Sequence, residues 1–400
     1  MKVTINKSRL CGIACAPPSK SMAHRYLICA ALAKSPCTIN NIALSQDIEA
    51  TVNCLLALGV KINVTDTGAD VNGRGIFSKT DTLLCNESGS TLRFMIPLCL
   101  TADKEITLTG TERLFSRSLD IYKELCDGRG FLFDQQKDRV TLKGKLTSGK
   151  YTVRGDVSSQ FISGLLFALP LSVGDSVIEI TGKLESAPYI DMTIAAQRDF
   201  GVEISREENL IYIKGNQRYK PINATVEGDC SNAAFFEALS VLGHDVRVVG
   251  LDKNTLQGDY VFYDCFKKLS DGTPTLDVAN CPDLAPILMA VAAAKNGATL
   301  VNTARLKIKE SDRGTAMAKE LEKFGIKTEV YDNSIVVSGK IHAPTQALFG
   351  HNDHRIVMSC AVLCTLFGGT IEGAEAVRKS LPDFFERLKT LFAEVNYETE

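Results

Sequence analysis

The sequence has almost no net charge, no apolar run long enough to cross a bilayer, and no Gly/Ser-rich linker or low-complexity tract. A formal net charge of −2 over 400 residues gives no support for a nucleic-acid or acidic-membrane partner, so any bound anion must be held by locally placed cations. The longest apolar candidate, residues 161–173, is shorter than the ~18–20 residues that span a membrane and reads as a buried helix. Residues 1–16 lack a sustained apolar core and a convincing cleavage site, so no signal peptide is expected. The 13 cysteines are odd in number and scattered from Cys11 to Cys364. That pattern fits reduced thiols in a cytoplasmic enzyme better than disulfides. Cys11/Cys15 and Cys360/Cys364 share a metal-like spacing, but neither has a matching second pair, and no metal is expected.

What remains is the composition of a soluble globular chain, 45% hydrophobic and 23% charged. Its length exceeds one ordinary core, so two domains are the first expectation. Short strands alternate with helices along the chain at roughly regular intervals, and polar clusters stand at the start of one apolar helix after another. Lys309-Glu310-Ser311-Asp312-Arg313 precedes a helical run to residue 323, which Gly325 stops, with Ser311 as the expected N-cap. Arg313 then falls in the first turn, where the helix dipole disfavours a cation. Taken alone, the stretch reads first as a solvated helix start with surface ion pairs, and second as an anion site with a proton-transfer group.

The same ambiguity recurs. Pro17-Pro18-Ser19-Lys20-Ser21 leads into a helix over residues 22–34, with Ser19 or Ser21 as cap and Arg25 one turn in. Asn86-Glu87-Ser88-Gly89-Ser90-Thr91-Leu92-Arg93 opens a helix through residue 100; Gly89 would let backbone approach a ligand, but no Walker A loop is present. Arg113 and Arg117 lie on an expected helix start within residues 111–125. Ser158-Ser159-Gln160 precedes a helix over 162–171, and Ser186-Ala187-Pro188-Tyr189 one over 192–200. Glu227-Gly228-Asp229, Pro282-Asp283, His351-Asn352-Asp353-His354-Arg355 and Arg378-Lys379-Ser380 continue the series. Each cluster alone is explained by helix capping. Their repetition is not.

Taken in order, these motifs resemble those of the EPSP synthase family, the 3-phosphoshikimate 1-carboxyvinyltransferases, from about residue 12 to 385. The resemblance implies a two-domain inside-out α/β barrel in which each domain holds three βαβαββ repeats. One lobe would be 19–227 and the other 1–18 with 228–400, with the active site in the cleft between them. It implies transfer of the enolpyruvyl group of phosphoenolpyruvate to the 5-hydroxyl of shikimate 3-phosphate, with no metal or other cofactor, in a monomer. By the same resemblance Lys20, Ser21, Arg25, Ser158, Ser159, Gln160, Ser186, Asp283 and Lys309 match the shikimate 3-phosphate site. Lys20, Gly89, Arg117, Gln160, Arg313, Arg355 and Lys379 match the phosphoenolpyruvate site. Asp283 matches the proton acceptor and Glu310 the proton donor, with Lys20 a third participant and the division of labour open.

Two departures stand out. Glu87 occupies a position where many members carry Asn, and Arg305 one where others carry Asn; Ser90 replaces a common Thr and keeps its hydroxyl. The related enolpyruvyl transferase acting on UDP-N-acetylglucosamine typically uses a loop cysteine near Arg117, and residues 111–119 contain none. A non-catalytic anion-binding protein on the same scaffold would lack the acid–base pair, but Asp283 and Glu310 are both present.

Overall fold

Strands and helices bury their residues differently, and that difference sets the layers. Ser176–Thr181 alternates strictly between buried and half-buried positions, as does Ala298–Val301, so these sheets cover a core on one face only. The Gly89–Cys99, Ala285–Ala294 and His354–Phe367 helices are buried on nearly every side, which places helices inside and sheets outside. The computed structural model describes residues 1–74, 76, 77 and 81–398.

The chain divides into an inserted unit, Pro18–Glu227, and a split unit made of Met1–Pro17 and Gly228–Glu400. In the inserted unit, Thr82–Leu84, Ile106–Thr109, Arg139–Lys143 and Leu132–Gln135 lie side by side in that order. The first pair is parallel and the others antiparallel. With the helices between them this is one βαβαββ unit. Gly149–Arg154, Ser176–Thr181, Leu210–Ile213 and Ile204–Glu207 repeat it, with Ile178 opposite Ile211 across the ladder. In the third copy the outer strand, Ala224–Thr225, comes from the far end of the unit and pairs parallel with Pro36–Asn40.

The split unit repeats the pattern with Thr275–Asp277, Ala298–Val301, Ser334–Ser338 and Lys327–Val330. A second sheet takes Lys2–Ile5 from the chain start between Gly369–Glu372 and Val395–Glu398. Among the described residues the last copy is reduced to a parallel pair, Cys11–Cys15 with Asp245–Val249. The expected inside-out α/β architecture of repeated βαβαββ units is the one found.

Several helix starts lie ahead of their expected places, Lys20 rather than 22 and Ser159 rather than 162 among them. The helix expected from residue 192 begins at Ala187 because Pro188 fits a first turn, where its missing N–H is not needed. The run expected over 111–125 is broken into Glu112–Phe115 and Asp120–Asp127. Between them the Ser118 hydroxyl donates to the Asp120 carboxylate at 2.7 Å and accepts from the Asp120 N–H at 3.1 Å, a local turn that competes with helix. Arg117 therefore sits in a link rather than on a helix. Ser311 is not the N-cap of Arg313–Lys323; Asp312 accepts the Thr315 N–H instead, and the Ser311 hydroxyl turns inward to Asp353.

Candidate active site

The polar helix starts of the inserted unit are caps first. Ser19, Ser88 and Ser158 accept backbone N–H groups of Met22, Thr91 and Gln160. With those hydroxyls committed, neighbouring residues present the charge. Lys20 opens the Lys20–Leu32 helix and pairs with Asp47 at 2.7 Å. Arg25 is buried, and its guanidinium donates to Thr193, to the Ser21 carbonyl at 2.6 Å and to the Tyr189 carbonyl at 2.8 Å. It thus ties the Ser21 turn to the helix that starts after Ser186. Burial lowers the Arg25 pKa to about 10. Ser186 is buried and holds a left-handed backbone at φ 58°.

A second group gathers at Gly89. A methyl group there would lie 2.8 Å from Arg117 Nη1 and 2.9 Å from Arg93 Nη1, so two guanidinium groups converge on the bare backbone of a helix N-terminus. This is the arrangement that suits an anion. Gln160 links the set: its Oε1 accepts from Arg93 at 2.9 Å and its Nε2 donates to Ser90 at 2.9 Å. Below it, Ser88, Thr91, Thr51 and His24 form a continuous buried chain of hydrogen bonds. Burial first, then Lys20 and Arg25, hold His24 well below its ordinary pKa, so the chain ends on a neutral ring. Glu87 is half-buried in the turn before this helix.

In the split unit one guanidinium organises the cluster. Arg313, 1% exposed, donates from Nε to Asp353 at 2.9 Å, from Nη1 to Asp283 at 2.7 Å and from Nη2 to Glu310 at 2.5 Å. Asp283 also receives Arg355 Nη2 at 2.9 Å and lies 3.3 Å from Lys309 Nζ. Asp353 is fully buried; its Oδ1 caps the His354–Phe367 helix through the Arg355 N–H while its Oδ2 accepts from Ser311 and Arg313. Lys379 donates to the Asn352 carbonyl at 2.6 Å, and His351 and Asn352 both adopt positive φ, 50° and 52°.

The electrostatics follow from the packing. Burial pushes the Asp283 carboxyl up, but Arg355, Lys309 and Arg313 outweigh it and hold the group well below its ordinary range. Burial disfavours the charge of Arg313, yet Asp353, Glu310 and Asp283 hold its pKa well above the ordinary value. Burial lowers Lys309 to about 8 against the pull of Asp283, and Arg305 and Arg313 add to the lowering. Arg305 is buried in the short turn Ala304–Ile308.

The structure therefore brings Asp283, Lys309, Glu310, Arg313 and Arg355 into one network in the split unit, beside the Lys379 contact. In the inserted unit it brings Gly89, Arg117 and Gln160 together, with Lys20, Ser21 and Arg25 at one helix start and Ser158, Ser159 and Ser186 at two others. Sequence reasoning gave no role to Arg93, Asp47 or Asp353. Arg93 and Asp353 stand inside recognised motifs, and an arginine within an apolar helix was the available signal. Asp47 had none, because its partner is 27 residues away.

A family profile described as EPSP synthase (3-phosphoshikimate 1-carboxyvinyltransferase) matches residues 5–388. A Clostridium kluyveri protein named 3-phosphoshikimate 1-carboxyvinyltransferase is 40% identical over 417 aligned positions, covering 98% of each chain. One of the same name from Clostridium acetobutylicum is 39% identical with the same coverage. Among solved structures, an EPSP synthase from Acinetobacter baumannii superposes with a TM-score of 0.80 over 99% of this chain and 100% of that one, at 23% identity. The enolpyruvyl transferase NikO from Streptomyces tendae also gives 0.80, at 16% identity over 100% of this chain and 99% of that one. At those identities the two superpositions establish the fold alone. The profile and the sequence relatives establish more: the chain belongs to the EPSP synthase (3-phosphoshikimate 1-carboxyvinyltransferase) family.

Proposed function

We propose that the chain transfers the enolpyruvyl group of phosphoenolpyruvate to the 5-hydroxyl of shikimate 3-phosphate. The products are 5-enolpyruvylshikimate 3-phosphate and phosphate, on the route to chorismate and the aromatic amino acids. It is a transferase, and it acts as a cytoplasmic monomer on small-molecule substrates, without a nucleic-acid or membrane partner. No helix among the described residues is long and apolar enough to cross a membrane.

The observation that carries the reading is Arg313, whose one guanidinium holds both carboxylates the chemistry needs, Asp283 and Glu310. The 5-hydroxyl proton passes to Asp283 as its oxygen attacks C2 of phosphoenolpyruvate, while the methylene carbon takes a proton from Glu310 or Lys20. The tetrahedral adduct then loses a proton from that methyl group and expels phosphate by C–O cleavage. General acid–base groups of this kind contribute about 10²–10⁴-fold each.

Asp283 as found is a weak base, because three cations stabilise its ionised form. An anionic substrate corrects this. The phosphate and carboxylate of phosphoenolpyruvate compete for Arg313 and Arg355, with Lys379 as a further cation for the anion, and drawing either guanidinium away makes Asp283 more basic. The base is thus activated by the substrate it serves. In the inserted unit, Gly89, Arg117 and Gln160 supply further donors for phosphoenolpyruvate. Lys20, Ser21, Arg25, Ser158, Ser159 and Ser186, with Lys309 of the split unit, serve shikimate 3-phosphate, Arg25 by holding the Ser21 turn in place.

Phosphate release measured with purified protein tests the assignment. It should require shikimate 3-phosphate and phosphoenolpyruvate together; release with UDP-N-acetylglucosamine in place of shikimate 3-phosphate would overturn it.

A further inference from the structure

The Gly258–Val261 turn of the split unit buries a carboxyl group for which the reaction above has no use. Asp259 is 2% exposed. Its Oδ2 accepts a hydrogen bond from the Ser231 hydroxyl, and its buried Oδ1 has no hydrogen-bond partner among the described residues. An ionised carboxylate offers about four acceptor sites and is costly to bury with so few of them filled. A protonated acid has less to lose there.

The groups that act on Asp259 are those of the catalytic cluster. Asp283 and Arg355, already joined at 2.9 Å, both act on it, and so does Asp229, the N-cap of Cys230–Val241. The thiols of Cys265 and Cys281 also lie near, both pushed up, chiefly by burial. Burial and then Asp283 raise the Asp259 pKa to about 7, with Arg355 and Ser231 opposing and Asp229 adding to the rise.

We propose that Asp259 is a positioning residue that holds a proton beside Asp283 and Arg355, leaving the charge of Arg355 to be divided between Asp283 and an incoming anionic substrate. Loss of that proton sets a second carboxylate against the same guanidinium and weakens its hold on the anion. The proposal rests on the reading of Arg355 as a phosphoenolpyruvate ligand.

Steady-state kinetics on the wild-type protein and Asp259→Asn, at pH about 6 and about 8, test it on either side of the titration near 7. Asparagine keeps the shape and cannot ionise. The KM for phosphoenolpyruvate should rise with pH at least about threefold more in wild type than in the variant, with kcat little changed by comparison. The substrate phosphate titrates in both proteins, so the difference isolates Asp259; parallel profiles would overturn the proposal. Ser231→Ala removes the donor that favours ionisation, and should move the transition to higher pH. An unmoved transition counts against the proposal equally.

Two readouts do not need turnover. The infrared carbonyl band of a protonated carboxylic acid should be present in wild type at pH about 6, fade by about 8 and be absent from Asp259→Asn. The folded protein holds this proton up to about 7, whereas an exposed aspartate releases it near 3.8, so the contribution to stability falls as pH rises between those values. The Tm of Asp259→Asn should therefore gain on wild type across that interval. An inactive wild-type protein would sink the functional reading while the infrared band still decided where the proton lies, and no band and no Tm gain would refute the proton itself.

Discussion

Arg313 is tied to Asp353, Asp283 and Glu310 by three different nitrogens, a task a lysine cannot perform because its donors leave from a single atom. Arg313→Lys should lower kcat/KM at least about a hundredfold, equivalent to about 2.7 kcal/mol, as steady-state assays would measure. Asp283 gives a sharper test because it occupies three cations. Asp283→Ala should cut kcat by about 10²–10⁴-fold while lowering the KM for phosphoenolpyruvate, since the released cations are left to the anion. A raised KM would mean that Asp283 holds them in their binding geometry instead. Lys309 titrates near 8, and its charge disappears as pH rises through that value. Affinity for shikimate 3-phosphate should fall over the same range, and Lys309→Arg should flatten the fall, as calorimetric titrations would reveal. These roles were only half legible in sequence. Lys309 through Arg313 announced a charged cluster, but that Ser311 turns inward while Asp312 caps depended on a buried Asp353 placed 42 residues away from Ser311.

At the scale of the element, helix N-termini do two jobs. Serine and aspartate side chains satisfy the exposed N–H groups, and the residues beside them carry the ligand chemistry. Gly89 shows why the two must be separated. It occupies the first turn of a helix capped by Ser88, and any Cβ would meet the Arg117 and Arg93 guanidiniums at 2.8 and 2.9 Å. Those are the ends of long side chains rather than backbone, so Gly89→Ala should fold but displace both. The expected outcome is a KM for phosphoenolpyruvate raised by about tenfold, corresponding to about 1.4 kcal/mol, with the melting temperature nearly unchanged. The capping pattern was legible because a cap acts within two or three residues. The fate of Arg117 was not, since the short Ser118–Asp120 turn that breaks its helix won over the helical periodicity around it.

Each unit of the molecule has its own core. One cluster of buried residues runs from Met22 to Val226, and the other is built from Val3 to Ala14 with Cys230 to Val395. Phe167 is fully buried in the first, where its ring meets Phe94 at 5.4 Å. Phe167→Ala should cost about 3–5 kcal/mol and raise amide hydrogen exchange through 18–227, while exchange in the Ala285–Ala294 and His354–Phe367 helices stays near the wild-type level. Exchange that rises equally in both units would show a single cooperative whole. The split unit also depends on the chain start, because Lys2–Ile5 fills the gap between Gly369–Glu372 and Val395–Glu398. No periodicity in the sequence marks that pairing, since the partners are more than 360 residues apart.

The sequence by itself determined the alternation of strands and helices, the caps, the candidate cations and, through its ordered motifs, the family. All of these are written in residues within a few positions of one another, where spacing and side-chain type suffice. Only the tertiary structure decided that Asp283 shares three cations, that Arg93 joins Arg117 over Gly89, and that Asp259 keeps a buried oxygen without a partner among the described residues. Each of these depends on which distant charges meet out of water, because burial and long-range pairing set both the geometry and the proton affinity of such groups.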